Sequence, residues 1–192
     1  MSDRMVNMSE KIILASQSPR RSELLSLITT DFEVITADVD ETVDENETAE
    51  NTVMALSKKK ADVVSSLYPG RTVIGADTIV VCDGKILGKP VNRNHAIEML
   101  RSLSGRTHQV LTGVTITDSY KTETFFVSSD VTFFELNYDE ICAYAQSGEP
   151  DDKAGAYGIQ GKGSLLVEKI SGDYFNIVGL PVSMLNKKLK DF

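Results

Sequence analysis

The sequence predicts a mixed α/β protein, and three observations carry that prediction. Short runs rich in Val and Ile at residues 11–15, 32–37 and 72–81 are interleaved with segments whose apolar residues recur every three or four positions, the pattern of strands alternating with helices. Two longer segments, 106–117 and 123–136, flank a polar turn and read as an antiparallel pair that widens the sheet. With 41% hydrophobic and 25% charged side chains over 192 residues, the chain can bury one full core or two small lobes.

Composition excludes several classes of function. A formal charge of −8 is the wrong sign for a sequence-independent nucleic-acid binder, which displaces counterions with a basic face. A small phosphorylated ligand needs only a local cluster of Lys and Arg. Cys82 and Cys142 lie in apolar runs at no metal-ligand spacing, as expected of reduced core residues. Residues 1–10 are polar without an apolar signal region, and no stretch is long and apolar enough to span a bilayer. We therefore expect a cytoplasmic protein with a poorly ordered extension at 1–10, in which Met8 is an alternative start, and one domain at 11–192.

Taken in order, residues 11–15 form a short buried strand that runs into Ser16-Gln17-Ser18-Pro19-Arg20-Arg21. Ser18 suits the N-cap and Pro19 the first helical position, with Leu24, Leu25 and Ile28 supplying a core face. Arg20 and Arg21 in the first turn make a candidate anion site, against the alternative of two solvated arginines. The strand at 32–37 leads into the acidic run Asp38-Val39-Asp40-Glu41-Thr42-Val43-Asp44-Glu45. That run is either a solvated loop or a source of oxygen ligands for Mg²⁺, with Asp40 and Glu41 the candidates. A helix from Thr48 or Glu50 to Tyr68, ended by Pro69-Gly70, carries Val53, Leu56, Lys60, Ala61, Val64 and Leu67 at helical spacing. Of Lys58, Lys59 and Lys60, only one can face a cleft, and Lys60 continues the apolar stripe.

The stretch 72–81 reads as two β runs broken by Gly75-Ala76-Asp77-Thr78. A carboxylate inside such apolar surroundings must find a cation, a metal or several N–H donors, unless Asp77 and Thr78 are simply turn formers. Asp83-Gly84 marks a tight hairpin that brings Lys89 back near Asp77, either for a phosphate or for a plain ion pair. Asn92 caps the helix bearing Ala96, Ile97, Leu100 and Leu103, which leaves His95 on its exposed side. Alternation of Val110, Thr112, Val114 and Ile116 predicts one buried face, and His108 reads as structural or as orienting a ligand. Asn137 with Glu140 forms a capping pattern for a short helix closed at Gly148. In 149–163, EPDDKAGAYGIQGKG, four glycines and the polar Asp151, Asp152, Lys153 and Gln160 alternate with Ala154, Ala156, Tyr157 and Ile159, the composition of an ordered binding loop. Residues 164–170 read as a strand, 172–174 as a turn, and Pro181 as the start of a terminal helix with Met184, Leu185 and Leu189.

The ordered motifs S-Q-S-P-R-R, an acidic loop, G-A-D-T, G-K-P, S-G-R-T-H, D-K-A-G-A-Y-G-I-Q-G and V-G-L-P resemble the Maf family of nucleoside triphosphate pyrophosphatases from Lys11 to the C-terminal helix. The resemblance implies an elongated mixed sheet flanked by helices, with two lobes and a central cleft. It implies metal-dependent hydrolysis of a nucleoside triphosphate to monophosphate and pyrophosphate, with Asp77 as proton acceptor. It also implies Arg20, Thr78 and Gln160 as specificity positions, in the combination of the dTTP/UTP branch. A branch preferring 7-methyl-GTP differs at all three. A Gln amide complements the donor and acceptors of a uracil or thymine edge, whereas Glu better accepts the N–H donors of guanine. On this reading Ser16, Arg21, Lys60 and Lys89 bind phosphates, and Glu41 helps hold Mg²⁺ or Mn²⁺.

The family is also associated with inhibition of septum formation, which no residue chemistry here explains. The alternatives are a catalytically silent nucleotide-binding regulator and a septum-associated interaction protein, for which the C-terminal helix is the local candidate. If the chain associates with itself, a symmetric homodimer is the expected form.

Overall fold

The computed structural model describes residues 11–36, 38–42, 47–118 and 120–192. The polar leader with Met8, and Val43, Asp44 and Glu45 of the acidic run, lie outside the described residues. A seven-stranded sheet is built from β1 (Ile12–Ala15), β2 (Phe32–Val34), β3 (Val73–Cys82), β4 (Lys85–Leu87), β5 (Thr107–Thr117), β6 (Thr122–Phe133) and β7 (Val167–Ser171). The helices are α1 (Pro19–Leu25), α2 (Ala49–Leu67), α3 (Arg93–Leu103), α4 (Tyr138–Ala145), α5 (Tyr174–Val178) and α6 (Val182–Asp191).

Strand order is β2-β1-β3-β5-β6-β7, with β4 added to β3. β1 pairs in parallel with β2 and β3, while β3, β5, β6 and β7 pair antiparallel, so the sheet is mixed as expected. Local chemistry sets the element ends. Thr48 accepts the Asn51 N–H at 3.2 Å and Asn92 accepts that of His95 at 2.9 Å. Asn137 and Glu140 close a reciprocal capping box. In the β3–β4 hairpin, Asp83 and Gly84 both take positive φ, 51° and 73°, as a two-residue turn matching strand twist requires.

Several expectations are corrected by packing. β3 runs unbroken through Gly75-Ala76-Asp77-Thr78, because Gly75 serves close approach and not a turn. A Cβ there would lie 2.4 Å from the Ser57 carbonyl oxygen and 2.7 Å from the Ala61 nitrogen of α2. From Val110 to Thr117 both faces of β5 are buried, since α2 covers one face and the main core the other. β2 ends at Val34, although the Ile35 N–H still reaches the Leu14 carbonyl at 3.1 Å. Leu67 is exposed at the last position of α2. The strand expected at 164–170 begins only at Val167, after a 3₁₀ segment at Gly161–Leu166. The turn at 172–174 opens α5, which Asp173 caps by accepting the Phe175 N–H at 2.8 Å. Pro181 stands at the N-cap of α6 instead of inside it, and Met184 is exposed while Leu185 is fully buried.

Leu14, Leu25, Ile74, Leu100, Leu103, Ile116, Leu180 and Leu185 lie in the main core on one face. On the other face, Ala61 and Val64 of α2 pack with Val73, and separately Val53 of α2 packs with Ile79 and Leu111. Both cysteines are free thiols, Cys82 buried and Cys142 only partly so. Among the described residues no helix is long and apolar enough to cross a membrane.

Candidate active site

The site arises from a gap in the sheet edge. β1 pairs with β3 only up to Gly75, and β4 pairs with it only from Val80, whereas β5 supports β3 continuously across that interval. The edge of β3 at Ala76 to Ile79 therefore opens into a cleft of about 1110 Å³. Because strand side chains alternate between faces, Asp77 points toward α2 and Thr78 toward α1 and α5. An interrupted neighbour, and not an interrupted strand, puts these polar groups on a buried β element.

On the α2 side, Asp77 is 8% exposed and its Oδ1 lies 2.5 Å from Lys60 Nζ, which also contacts Glu41 Oε1 at 2.7 Å. The three lysines diverge as helix geometry demands: Lys58 pairs with Asp62, Lys59 reaches the Asp40 carbonyl, and Lys60 alone turns inward. The bond to Lys60 holds the Glu41 carboxyl below the usual carboxylate range, helped by the Lys60, Lys89 and Arg21 charges and opposed by burial. Asp40 instead accepts from the Thr42 N–H and hydroxyl. It does not line the cleft, whereas Asp38 and Glu41 do.

On the opposite side, Arg21 donates through Nε to the Gly179 carbonyl (2.8 Å), through Nη1 to Ser16 Oγ (3.4 Å) and through Nη2 to Thr78 Oγ1 (3.0 Å). Burial lowers its pKa, and the Asp77 charge counters that shift. Ser18 occupies the N-cap of α1 without a side-chain capping bond; its N–H donates to Ser16 Oγ at 3.2 Å. Lys89, at the end of the hairpin, lines the same cleft.

The far wall is residues 149–163, an ordered loop held by buried side chains. Glu149 accepts from the Lys162 and Gly163 N–H groups, and Lys153 Nζ donates to the Glu149 carbonyl at 2.6 Å. Gly158 N–H donates to the Tyr144 hydroxyl at 3.1 Å, and burial pushes that phenol up to about 12. Tyr157 packs edge-on against Phe133 and His108, with its hydroxyl 2.8 Å from His108 Nε2. Gly155 takes φ +68° and lets the loop touch the Val80 side chain. Gln160 stands exposed at the rim. Ser16, Arg20, Arg21, Glu41, Lys60, Asp77, Thr78, Lys89 and Gln160 thus all line one cleft, drawn from five separate stretches of sequence and the acidic run.

His108 does not line the cleft; it is 2% exposed and burial lowers its pKa to about 4 from 6.5. The folded protein refuses a proton that the unfolded chain accepts. Its contribution to stability is therefore complete above pH 6.5 and is lost as pH falls toward about 4, a change of about 3 kcal/mol. Urea titrations of wild type and His108→Gln across that interval should show a shallower pH dependence in the variant. Equal slopes would assign the loss to carboxylates.

Asp77 and Glu41 can offer oxygens to a divalent cation. Among the described residues no cluster of three His, Cys, Asp or Glu side chains is placed to hold a metal alone. The donor set fits a hard cation that completes its shell with ligand phosphates and water, the usual habit of Mg²⁺, and does not fit a closed structural site.

The mixed sheet, its interrupted edge and a cleft lined by both basic and acidic side chains define an α/β protein with a pocket that can take a small polyanion together with a cation. Residues 11–192 match the family model described as Maf-like protein, and the chain belongs to that family. It is 51% identical over 182 residues to a dTTP/UTP pyrophosphatase of Bacillus mycoides (strain KBAB4), and 52% identical over 182 residues to one of Bacillus cereus (strain AH187). Each alignment covers 95% of both chains. Its backbone is similar to that of the Staphylococcus aureus Ham1 protein (TM-score 0.56, 16% identity, 94% of this chain and 98% of that one) and to a HAM1 protein from Coxiella burnetii (TM-score 0.54, 14% identity, 95% and 99%). These two likenesses concern the fold.

Thr112, Ser129 and Asn176 have no counterpart in the sequence-based site. They lie beneath Thr78 through contacts such as Thr112 to the Asn176 carbonyl, 64 positions apart, and no local pattern signals such a contact.

Proposed function

We propose that this protein hydrolyses dTTP and UTP to the nucleoside monophosphate and pyrophosphate. The observation that carries the proposal is the cleft itself, where a buried Asp77 bonded to Lys60, which also holds the exposed Glu41, and a braced Arg21 face each other across the open edge of β3. The names of relatives about half identical over nearly the full length support the substrate class. On this reading residues 11–192 act as one domain in the cytoplasm, as a single chain or a symmetric dimer.

Arg20, Arg21, Lys89 and Ser16 bind the triphosphate, and Lys60, held on Asp77 and Glu41, adds its positive charge beside the phosphates. Asp77 and Glu41 are the residues that would hold Mg²⁺ or Mn²⁺, which supplies charge neutralisation at the phosphate oxygens. With Lys60 on Oδ1, Asp77 keeps Oδ2 for a water molecule and takes its proton as the water oxygen attacks the α-phosphorus. The bond from that phosphorus to the bridging oxygen breaks, and pyrophosphate leaves with the bonding electrons. Positioning and charge stabilisation do most of the work, as in other phosphoryl transfers. Gln160 at the rim reads the pyrimidine edge.

Product analysis with Mg²⁺ or Mn²⁺ against dTTP, UTP, CTP, 7-methyl-GTP, ITP and ATP tests the proposal. Monophosphate and pyrophosphate are expected from dTTP and UTP, with turnover abolished by chelation. Preferred cleavage of 7-methyl-GTP or ITP would overturn the roles given to Arg20, Thr78 and Gln160 while keeping the reaction. Nucleotide binding without products would overturn the reaction.

A further inference from the structure

We infer that Thr112, a fully buried residue of β5 outside the cleft lining, orients Arg21 by fixing the direction in which the Thr78 hydroxyl donates. This inference rests on the proposed binding of a polyphosphate in the cleft. Thr112 Oγ1 lies 2.8 Å from the Asn176 carbonyl oxygen, which can only accept, so the single Thr112 proton is committed there. Thr78 Oγ1 lies 2.9 Å from Thr112 Oγ1, and with that proton spent, Thr78 must be the donor of the pair. The Thr78 oxygen is left as an acceptor, and Arg21 Nη2 donates to it at 3.0 Å.

The relay therefore runs one way, from Arg21 to Thr78 to Thr112 to Asn176, and its end is rigid. The Asn176 side chain, itself fully buried, donates to the Val110 carbonyl and to Ser129 Oγ, both at 2.9 Å. Ser129 Oγ in turn bonds the Asp173 backbone at the start of α5. The same short helix is followed by Gly179, whose carbonyl accepts Arg21 Nε. Both edges of the guanidinium are thus referred to one clamped turn, and three of its five N–H groups are spent on the protein. The remaining two stay available to an anion in a preset orientation, which limits the ordering cost of binding.

A Thr78 hydroxyl whose proton is held by Thr112 has no donor to offer a base, so its influence on ligand choice passes through Arg21. Thr112 is a positioning residue in this scheme.

Calorimetric affinity for inorganic tripolyphosphate tests this in wild type, Thr78→Val, Thr112→Val and the double variant, because that probe carries no base to read. Thr112→Val is isosteric, and the Asn176 carbonyl keeps the Gly179 N–H at 3.0 Å as a partner; Thr112→Ala gives the same test should the valine variant fail to fold. Loss of the hydroxyl that accepts the Thr78 proton, and so fixes the Thr78 oxygen beneath Arg21, should weaken binding roughly fivefold in Thr112→Val, with Thr112→Ser restoring it. Thr112→Val should add nothing to Thr78→Val, because the link is already cut. Unchanged binding in Thr112→Val, a penalty that adds in full to that of Thr78→Val, or no tripolyphosphate binding by wild type would each overturn the inference. A cycle that behaves as expected in a protein that turns over no nucleotide would uphold the relay and overturn the proposed reaction instead.

Discussion

Asp77→Asn is expected to lower kcat for dTTP and UTP by about 10²–10⁴-fold, the range that a positioned general base contributes. The substitution keeps the shape of the side chain and removes its negative charge and its basicity. Lys60 retains Glu41 at 2.7 Å, so the ammonium is not stranded, and the main packing of α2 on β3 does not pass through the carboxylate. The variant should therefore fold, with an unchanged circular dichroism spectrum and a denaturation midpoint close to wild type. The ligand should still bind, because Arg21 and its partners on the other face of β3 are untouched. Near-normal turnover would remove Asp77 from the chemistry. Abolished turnover with metal-independent nucleotide affinity retained would support it, and metal titration of the variant would then divide its roles, since a lost ligand raises the metal requirement whereas a lost base does not.

Gly75→Ala is expected to damage stability and activity together. Its added methyl would meet the Ser57 carbonyl oxygen and the Ala61 nitrogen and Cβ of α2, all within 2.9 Å. Two of these are backbone atoms and cannot rotate away, so the helix must move off the sheet. Overpacking of this kind costs typically about 1–3 kcal/mol, and the residues displaced flank Lys60 in sequence. The Lys60 ammonium would be carried off Asp77, to which it now lies at 2.5 Å. A urea midpoint lowered in proportion, with kcat/KM reduced at temperatures where the variant remains folded, is the expected result. A variant as stable and as active as wild type would mean that α2 accommodates the methyl by a local shift. Gly113, paired with Asp77 across β3 and β5, carries the same constraint: a Cβ there would lie 2.3 Å from the Val53 carbonyl oxygen.

These glycines mark the boundary of what sequence reasoning reaches. The elements themselves were legible: Thr48, Asn92 and Asn137 cap the helices expected of them, Asp83-Gly84 makes its hairpin, and the long β5–β6 pair is antiparallel. Such features depend on side chains acting on backbone within a few residues, and that chemistry is written locally. In one dimension, a glycine before Ala-Asp-Thr looks like a turn, so the sequence reads Gly75 as a strand breaker. In three dimensions it is the price of a close helix.

The residue types of the site were legible for a similar reason. A carboxylate in an apolar run, two arginines after Pro19 and an inward lysine are each conspicuous where they stand, and the ordered motifs tied them to one family. Their arrangement was not legible. Tertiary structure alone decided that β1 and β4 stop short of each other along β3, which opens the edge at Asp77 and Thr78. It alone sent Asp77 to Lys60 and Thr78 to Arg21 on opposite faces, and put Thr112 and Asn176 beneath the arginine. The physical reason is one of range: capping and turn preferences act over three or four residues, whereas strand register and the seating of α2 are settled by contacts 17 or more positions apart.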